Sequence, residues 1–200
     1  MRTLNMVCVF CGSSPGKNPA YMVAAEAVGA AMARRNIDLI YGAGNIGLMG
    51  AVSRSVDQHG GNVTGVIPGP LMSKEIMGGG VGEVVEVDSM HTRKAMMESR
   101  ADAFIVLPGG YGTLEELFEM ITWAQLGIHA KPIGLLNVDG FFDPLVQLID
   151  HVAAEGFVRP THRELIFVAE QPDELLDKLQ THELPPAVVD WHGRAEKLKM

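Results

Sequence analysis

The chain has 200 residues, 47% of them hydrophobic and 20% charged, with a formal net charge of −8. That length supports one sizeable core, and the acidic balance argues against a broad nucleic-acid-binding surface. No apolar run reaches the roughly 18 residues of a membrane span. The apolar part of MRTLNMVCVFCGSSPG is also too short for a signal sequence, so the expectation is a cytoplasmic protein with no membrane or nucleic-acid partner.

The first expected strand is Met6–Phe10, followed by FCGSSPG at 10–16. Cys8 and Cys11 have C-x-x-C spacing, but a strand sends i and i+3 to opposite faces, which favours packing over redox chemistry. Gly12, Ser13 and Ser14 could offer amides and hydroxyls to an anion or simply turn the chain; the stretch itself leaves both open. A helical pattern spans Ala20–Arg35 and a strand Asp38–Tyr41. Next comes YGAGNIGLMG, with G-x-G-x-x-G at Gly42, Gly44 and Gly47. It follows the second strand, and NVTGVIPGP after it offers no acid for a ribose 2′-OH, so a dinucleotide site is not expected. It reads as a tight turn with close helix–strand packing that could line a nucleotide site.

A helix over Ile46–His59 and a strand over Val63–Ile67 come next. Residues 69–82, GPLMSKEIMGGGVG, look irregular, either a long connector or a loop over the site. After a strand at Glu83–Val87, Asp88 or Ser89 can cap a helix over Met90–Ala101. Arg93 and Lys94 then fall in or just after its first turn, where cations oppose the helix dipole. An anionic ligand or a carboxylate partner would remove that conflict; otherwise they form a solvated basic patch. The strand Ala103–Leu107 leads through PGGYGTLEE at 108–116 into a helix over Leu114–Leu126. The remaining expected elements are strands Ile133–Leu136 and Leu165–Val168, helices Asp143–Glu155 and Pro172–Gln180, and a trailing C-terminal tail.

Strand–helix alternation with continuously apolar strands predicts an α/β fold, a doubly wound parallel sheet with helices on both faces. Such sheets bind ligands beyond the carboxyl ends of their strands. PGGYGTLEE sits at such an end. Gly109, Gly110 and Gly112 would allow φ > 0 and close approach, Thr113 could cap the helix, and the free amides of the first turn would face a phosphate. Thr113-Leu114-Glu115-Glu116 is equally a capping box in which Glu116 folds back on Thr113, and spacing leaves cap and active-site acid open. A carboxylate near a phosphate makes sense if it works on the sugar, where positive charge develops. No His, Cys or Asp cluster has metal-ligand spacing, so neither a metal nor a cofactor is expected.

FCGSS at 10–14, GAGNIGLMG at 42–50, MHTRK at 90–94 and PGGYGTLEELFEMITWAQLGIH at 108–129 resemble the Lonely Guy family. KPIGLLNVDGFFDPL at 131–145 and EGF at 155–157 extend the likeness, which covers residues 5 to about 170. The resemblance implies a single Rossmann-like nucleotide-binding catalytic domain over residues 1–180 with a tail at 181–200, and a homodimer. It further implies hydrolysis of the N-glycosidic bond of an adenine-type nucleoside 5′-monophosphate, a cytokinin riboside 5′-monophosphate, AMP or both, to free base and ribose 5-phosphate. Carried over, Arg93 and Glu116 are catalytic; Glu75, Lys94, Gly110, Tyr111, Gly112, Thr113, Leu114, Glu115 and Thr122 contact substrate. Glu116 would stabilise the ribosyl cation, or orient or deprotonate water; Arg93, always charged, would position Glu116 and the ribosyl phosphate. Members also carry an older label of lysine decarboxylase, an activity that would need pyridoxal phosphate on a lysine, for which no motif is found. The alternative is a non-enzymatic nucleotide or cofactor carrier with the same glycine-rich turn, against which Glu116 and Arg93 argue.

Overall fold

The structure is a computed structural model and describes residues 1–75 and 80–189, without the side chains of residues 73–75. The strands are β1 (Met6–Phe10), β2 (Asp38–Tyr41), β3 (Val63–Pro68), β4 (Glu83–Val87), β5 (Ala103–Val106), β6 (Ile133–Leu136) and β7 (Ile166–Ala169). The helices are α1 (Ala20–Arg34), α2 (Gly47–Gln58), α3 (Gly69–Glu75), α4 (Met90–Arg100), α5 (Tyr111–Leu126), α6 (Asp143–Ala154) and α7 (Pro172–Thr181), with 3-10 turns at Val138–Gly140 and Pro160–Leu165. All seven strands run parallel in one sheet, ordered β4-β3-β2-β1-β5-β6-β7. The order reverses between β1 and β5, whose registers pair Val7 with Ala103 and Phe10 with Val106. The carboxyl ends of those two strands open the crevice where a doubly wound sheet binds ligands.

The period-2 alternation of a strand divides β1 between two cores. Val7 and Val9 join the layer under α1, α2 and α7, with Val28, Leu48 and Leu175. Cys8 and Phe10 join the layer under α4 and α5, with Met97 and Leu117. Burying a side chain such as Leu117 fully is worth about 2 kcal/mol. Cys11 belongs to the first layer and Cys8 to the second, both as free thiols. Burial pushes both thiols above their ordinary range, which suits packing and leaves little thiolate for redox chemistry.

The expected strands and helices are present, with two differences that matter. Residues 69–75, expected to be irregular, form α3; Pro70 sits in its first turn, where the missing N–H costs nothing. Helix α5 begins at Tyr111 rather than Leu114. Its far end is closed by Gly127 in the left-handed region. It is also pinned by His129, whose Nδ1 accepts from the Lys131 amide at 3.1 Å while Nε2 lies 3.0 Å from the Met120 carbonyl. Burial pushes the imidazole down to about 4, so it stays neutral at ordinary pH. Of the C-terminal stretch, residues 182–189 run back over α5, with the Val188 amide donating to Gln125 O at 2.8 Å.

Candidate active site

Two loops form the crevice at the switch point. The Gly12 amide donates to Pro108 O at 3.0 Å, fastening the loop after β1 to the loop after β5. Between them lies a cavity of about 240 Å³ bordered by Ser13, Ser14, Gly109, Gly110 and Phe141. A larger cavity of about 570 Å³ lies between α1 and the end of β6, but it is bordered by none of the expected catalytic or substrate-contacting residues. Volume alone therefore does not choose the site.

Helix α5 points its N-terminus into the crevice. Its N-cap is Gly110, in extended backbone, and no side chain caps it. The capping-box expectation is thereby corrected: Thr113 is the third residue of the helix and is buried. Its hydroxyl is packed so closely on Gly109 that a Cβ there would lie 2.1 Å from Oγ1. The expected φ > 0 at Gly109, Gly110 and Gly112 is likewise absent. Gly110 and Gly112 have open space where a Cβ would stand, and Tyr111 between them is 94% exposed. The first-turn amides of this uncapped helix end, with the dipole behind them, suit an anion.

One turn further in, Glu116 is buried against Arg93 of α4, with Nη1 to Oε1 at 3.4 Å. Neither is a solvated surface group: each is 8% exposed. Ser89 caps α4, its hydroxyl accepting from the Thr92 amide at 3.1 Å. Arg93 Nε donates to Val66 O at 3.1 Å and Nη2 to Gly42 O at 3.2 Å. Lys94, also buried, bridges Glu115 at 2.5 Å and Glu119 at 3.0 Å. The dipole conflict expected for these two cations is thus answered by three carboxylates of α5. Glu119 was not foreseen, although its i+4 spacing from Glu115 puts both on one helix face.

The electrostatics separate the three carboxylates. Burial raises the Glu116 carboxyl to about 7, with Arg93 opposing and Glu115 adding to the rise. A carboxyl poised there can hold or accept a proton near neutral pH. Burial opposes the charge on Lys94, but its hydrogen bonds to Glu115 and Glu119 outweigh it and hold the ammonium above its ordinary range. Glu115 is therefore engaged with Lys94, and Glu116 is the acid turned inward.

The G-x-G-x-x-G turn packs as expected. Gly47 has φ +56°, and a Cβ on it would come within 2.4 Å of the Ser13 backbone. The Leu48 and Met49 amides donate to Gly12 O at 3.0 and 3.3 Å, so the α2 N-terminus spends amides on the chain rather than on a ligand. Gly47→Ala should cost roughly 2–4 kcal/mol, from left-handed strain plus overpacking, measured as a lower urea midpoint.

The remaining expected site residues divide. Leu114 and Glu115 lie on the first turns of α5 beside Glu116. Thr122 does not join them: its hydroxyl donates to Phe118 O at 2.7 Å, and it borders a separate apolar hollow with Phe118, Leu148 and Ile149. Glu75 ends α3, and its side chain lies outside the described residues.

A doubly wound parallel sheet with an uncapped helix N-terminus at its switch point, and a buried Arg–Glu pair one turn inside, defines a Rossmann-like protein with a crevice for an anionic small molecule. Residues 49–179 match the family model described as possible lysine decarboxylase, and the chain belongs to this family, that of the Lonely Guy proteins. A relative in Oryza sativa subsp. japonica, named as a probable cytokinin riboside 5′-monophosphate phosphoribohydrolase, is 57% identical over 176 residues, 88% of this chain and 72% of its own. A cytokinin riboside 5′-monophosphate phosphoribohydrolase of Arabidopsis thaliana is 56% identical over 176 residues, 88% of this chain and 82% of its own. Among solved structures, the molybdenum cofactor binding protein of Rippkaea orientalis superposes with a TM-score of 0.65 at 19% identity, covering 90% of this chain and 98% of that one. The molybdenum cofactor carrier protein of Chlamydomonas reinhardtii gives 0.64 at 16%, with the same coverage. At those identities the likeness is one of fold.

Proposed function

We propose that this protein hydrolyses the N-glycosidic bond of adenine-type nucleoside 5′-monophosphates, with cytokinin riboside 5′-monophosphate and AMP as the substrate class. The observation that carries the reading is Glu116, a buried carboxyl raised to about 7 beside Arg93 and one turn inside an uncapped helix N-terminus. The relatives' activity supports it. The 5′-phosphate binds the first-turn amides of Gly110 to Thr113, which places the ribose over the following turn. The C1′–N bond breaks with its electron pair leaving on the base. Positive charge develops on the ribosyl ring and is stabilised by ionised Glu116. Water adds to C1′, Glu116 accepts a proton from it, and the elements of water end as the 1-hydroxyl of ribose 5-phosphate and a proton on the base. Arg93 holds the carboxylate in place.

Lys94 bears on the decarboxylase description. A Schiff-base lysine must shed its proton to attack a carbonyl, whereas Lys94 is held protonated between two carboxylates. We further read the protein as a cytoplasmic homodimer. The exposed Phe118 and Leu148, on neighbouring helices, are the kind of apolar surface a second copy would cover.

Purified protein given AMP without added metal should release adenine and ribose 5-phosphate, resolved by chromatography. Adenosine should react at least roughly a hundred-fold more slowly, because binding energy at the phosphate is what positions the ribose. Inorganic phosphate as the product from AMP, or equal rates for AMP and adenosine, would remove this reading.

A further inference from the structure

We propose that the glycine turn after β2 is a seat for an arginine, and that Gly42 is a positioning residue for the reaction, acting through Arg93. The inference rests on the hydrolase reading for its consequence, but on geometry for its content. A guanidinium presents five N–H donors in one rigid plane. Here Nε and Nη2 are taken by the carbonyls of Val66, within β3, and Gly42, just past the neighbouring β2, and Nη1 is left to face Glu116. Two backbone acceptors from a rigid sheet thus fix the plane of the cation against the acid.

The seat is open only because residue 42 has no side chain. A Cβ on Gly42 would stand 1.8 Å from Arg93 Nη2 and 3.0 Å from Cζ, while the next atom, Met49 Sδ, is at an ordinary 3.5 Å. Gly42 is not among the positive-φ glycines, so alanine suits its backbone. What obstructs a methyl group there is the movable end of Arg93 and nothing of the fold. Gly44 and Gly47 differ. A Cβ on Gly44 would meet the terminal methyl of Met49 at 2.4 Å, and one on Gly47 would meet the Ser13 backbone. The three glycines of the fingerprint therefore do three separate things, and that of Gly42 concerns the reaction.

The groups facing Glu116 are Arg93 and Lys94 from α4, Glu115 and Glu119 from its own helix, and Cys8 and Cys11 from β1 and its exit. Displacing Arg93 removes the largest influence that favours the carboxylate. The test compares wild type, Gly42→Ala and Gly44→Ala for base release from AMP across pH 5.5–9, together with thermal unfolding. Gly42→Ala is expected to lower kcat on the order of ten- to a hundred-fold with KM changed by less than about three-fold, to shift the acid limb of kcat/KM to higher pH, and to stay folded with a melting point lowered by about 2–10 °C, since the displaced guanidinium leaves its carbonyl acceptors. Gly44→Ala, which displaces the end of Met49 and leaves Arg93 in its seat, is expected to keep the wild-type acid limb. An unchanged kcat and acid limb in Gly42→Ala overturns the proposal. So does a loss confined to KM with an unmoved profile, since the methyl group would then meet substrate, and so does a failure to fold. If wild type releases no base, the hydrolase reading falls and the seat is judged by the nitrogen-15 spectrum. A slowly exchanging Arg93 Nε–H signal should be present in wild type and lost in Gly42→Ala; its absence from wild type overturns the seat.

Discussion

Glu116→Gln should lower base release from AMP by roughly a hundred- to a thousand-fold or more while leaving nucleotide binding and folding near wild type. The amide keeps the shape of the side chain but can neither carry charge beside the ribosyl cation nor accept a proton from water. Stability should not fall, because the carboxyl is a burden on the fold. Its folded pKa of about 7 lies above its ordinary 4.5, so the folded state retains a proton that the unfolded chain has released. The associated stability is fully present below pH 4.5 and is lost as pH rises through 7, a cost on the order of 3 kcal/mol. Glutamine removes that cost. Against it stands the weakened partnership with Arg93, which keeps its two carbonyl acceptors. Urea midpoints at pH 5.5 and 8 should therefore move in favour of the variant as pH rises. A variant that loses stability and keeps turnover would make Glu116 a structural partner of Arg93 and not the acid of the reaction. Wild type that binds AMP without turnover would favour a carrier.

The sheet was legible because runs such as FIVL are apolar at every position, as strands covered on both faces must be. The conflict of Arg93 and Lys94 with the dipole of α4 leaves an anionic ligand, a carboxylate partner or a solvated patch open in the sequence, and α5 supplies carboxylates. Spacing did not separate Glu115 from Glu116. The two differ by about 100° around the helix, so their fates depend on how α5 is rotated against α4, a matter of tertiary packing. The T-x-x-E pattern misled for a related reason. The helix start is decided by extended backbone at Gly110 and by the packing of Thr113 on Gly109, neither of which leaves a mark on the spacing. The turn at Gly42 reads from spacing as a packing turn that could line a nucleotide site, while the guanidinium that occupies it arrives from 51 residues away. Residues 69–82 look irregular because they are rich in glycine, yet 69–75 form α3, whose first turn needs no amide from Pro70.

Arg93→Met should abolish turnover and destabilise the fold by an amount that grows with pH. Methionine refills much of the aliphatic volume, so the losses are polar. The Val66 and Gly42 carbonyls lose their guanidinium donor, a cost of about 1–3 kcal/mol at any pH. Glu116 loses the nearest cation, and its pKa rises further above 7. Below pH 6 the carboxyl is protonated in both proteins, and only the carbonyl cost separates them. Above pH 7 the wild-type carboxyl ionises while that of the variant still holds its proton. The variant then falls behind by up to about 1.4 kcal/mol per pH unit until its own pKa is passed. Because the acid can protonate, this cost is capped once the pKa of the variant's carboxyl is passed. The double variant Arg93→Met/Glu116→Gln should lose the pH-dependent part and keep the carbonyl part, a coupling visible in a double-mutant cycle of urea midpoints at pH 5.5 and 8.5. An equal gap between Arg93→Met and wild type at both pH values would mean that Glu116 does not titrate against Arg93, and the acid of the site would have to be sought elsewhere on α5.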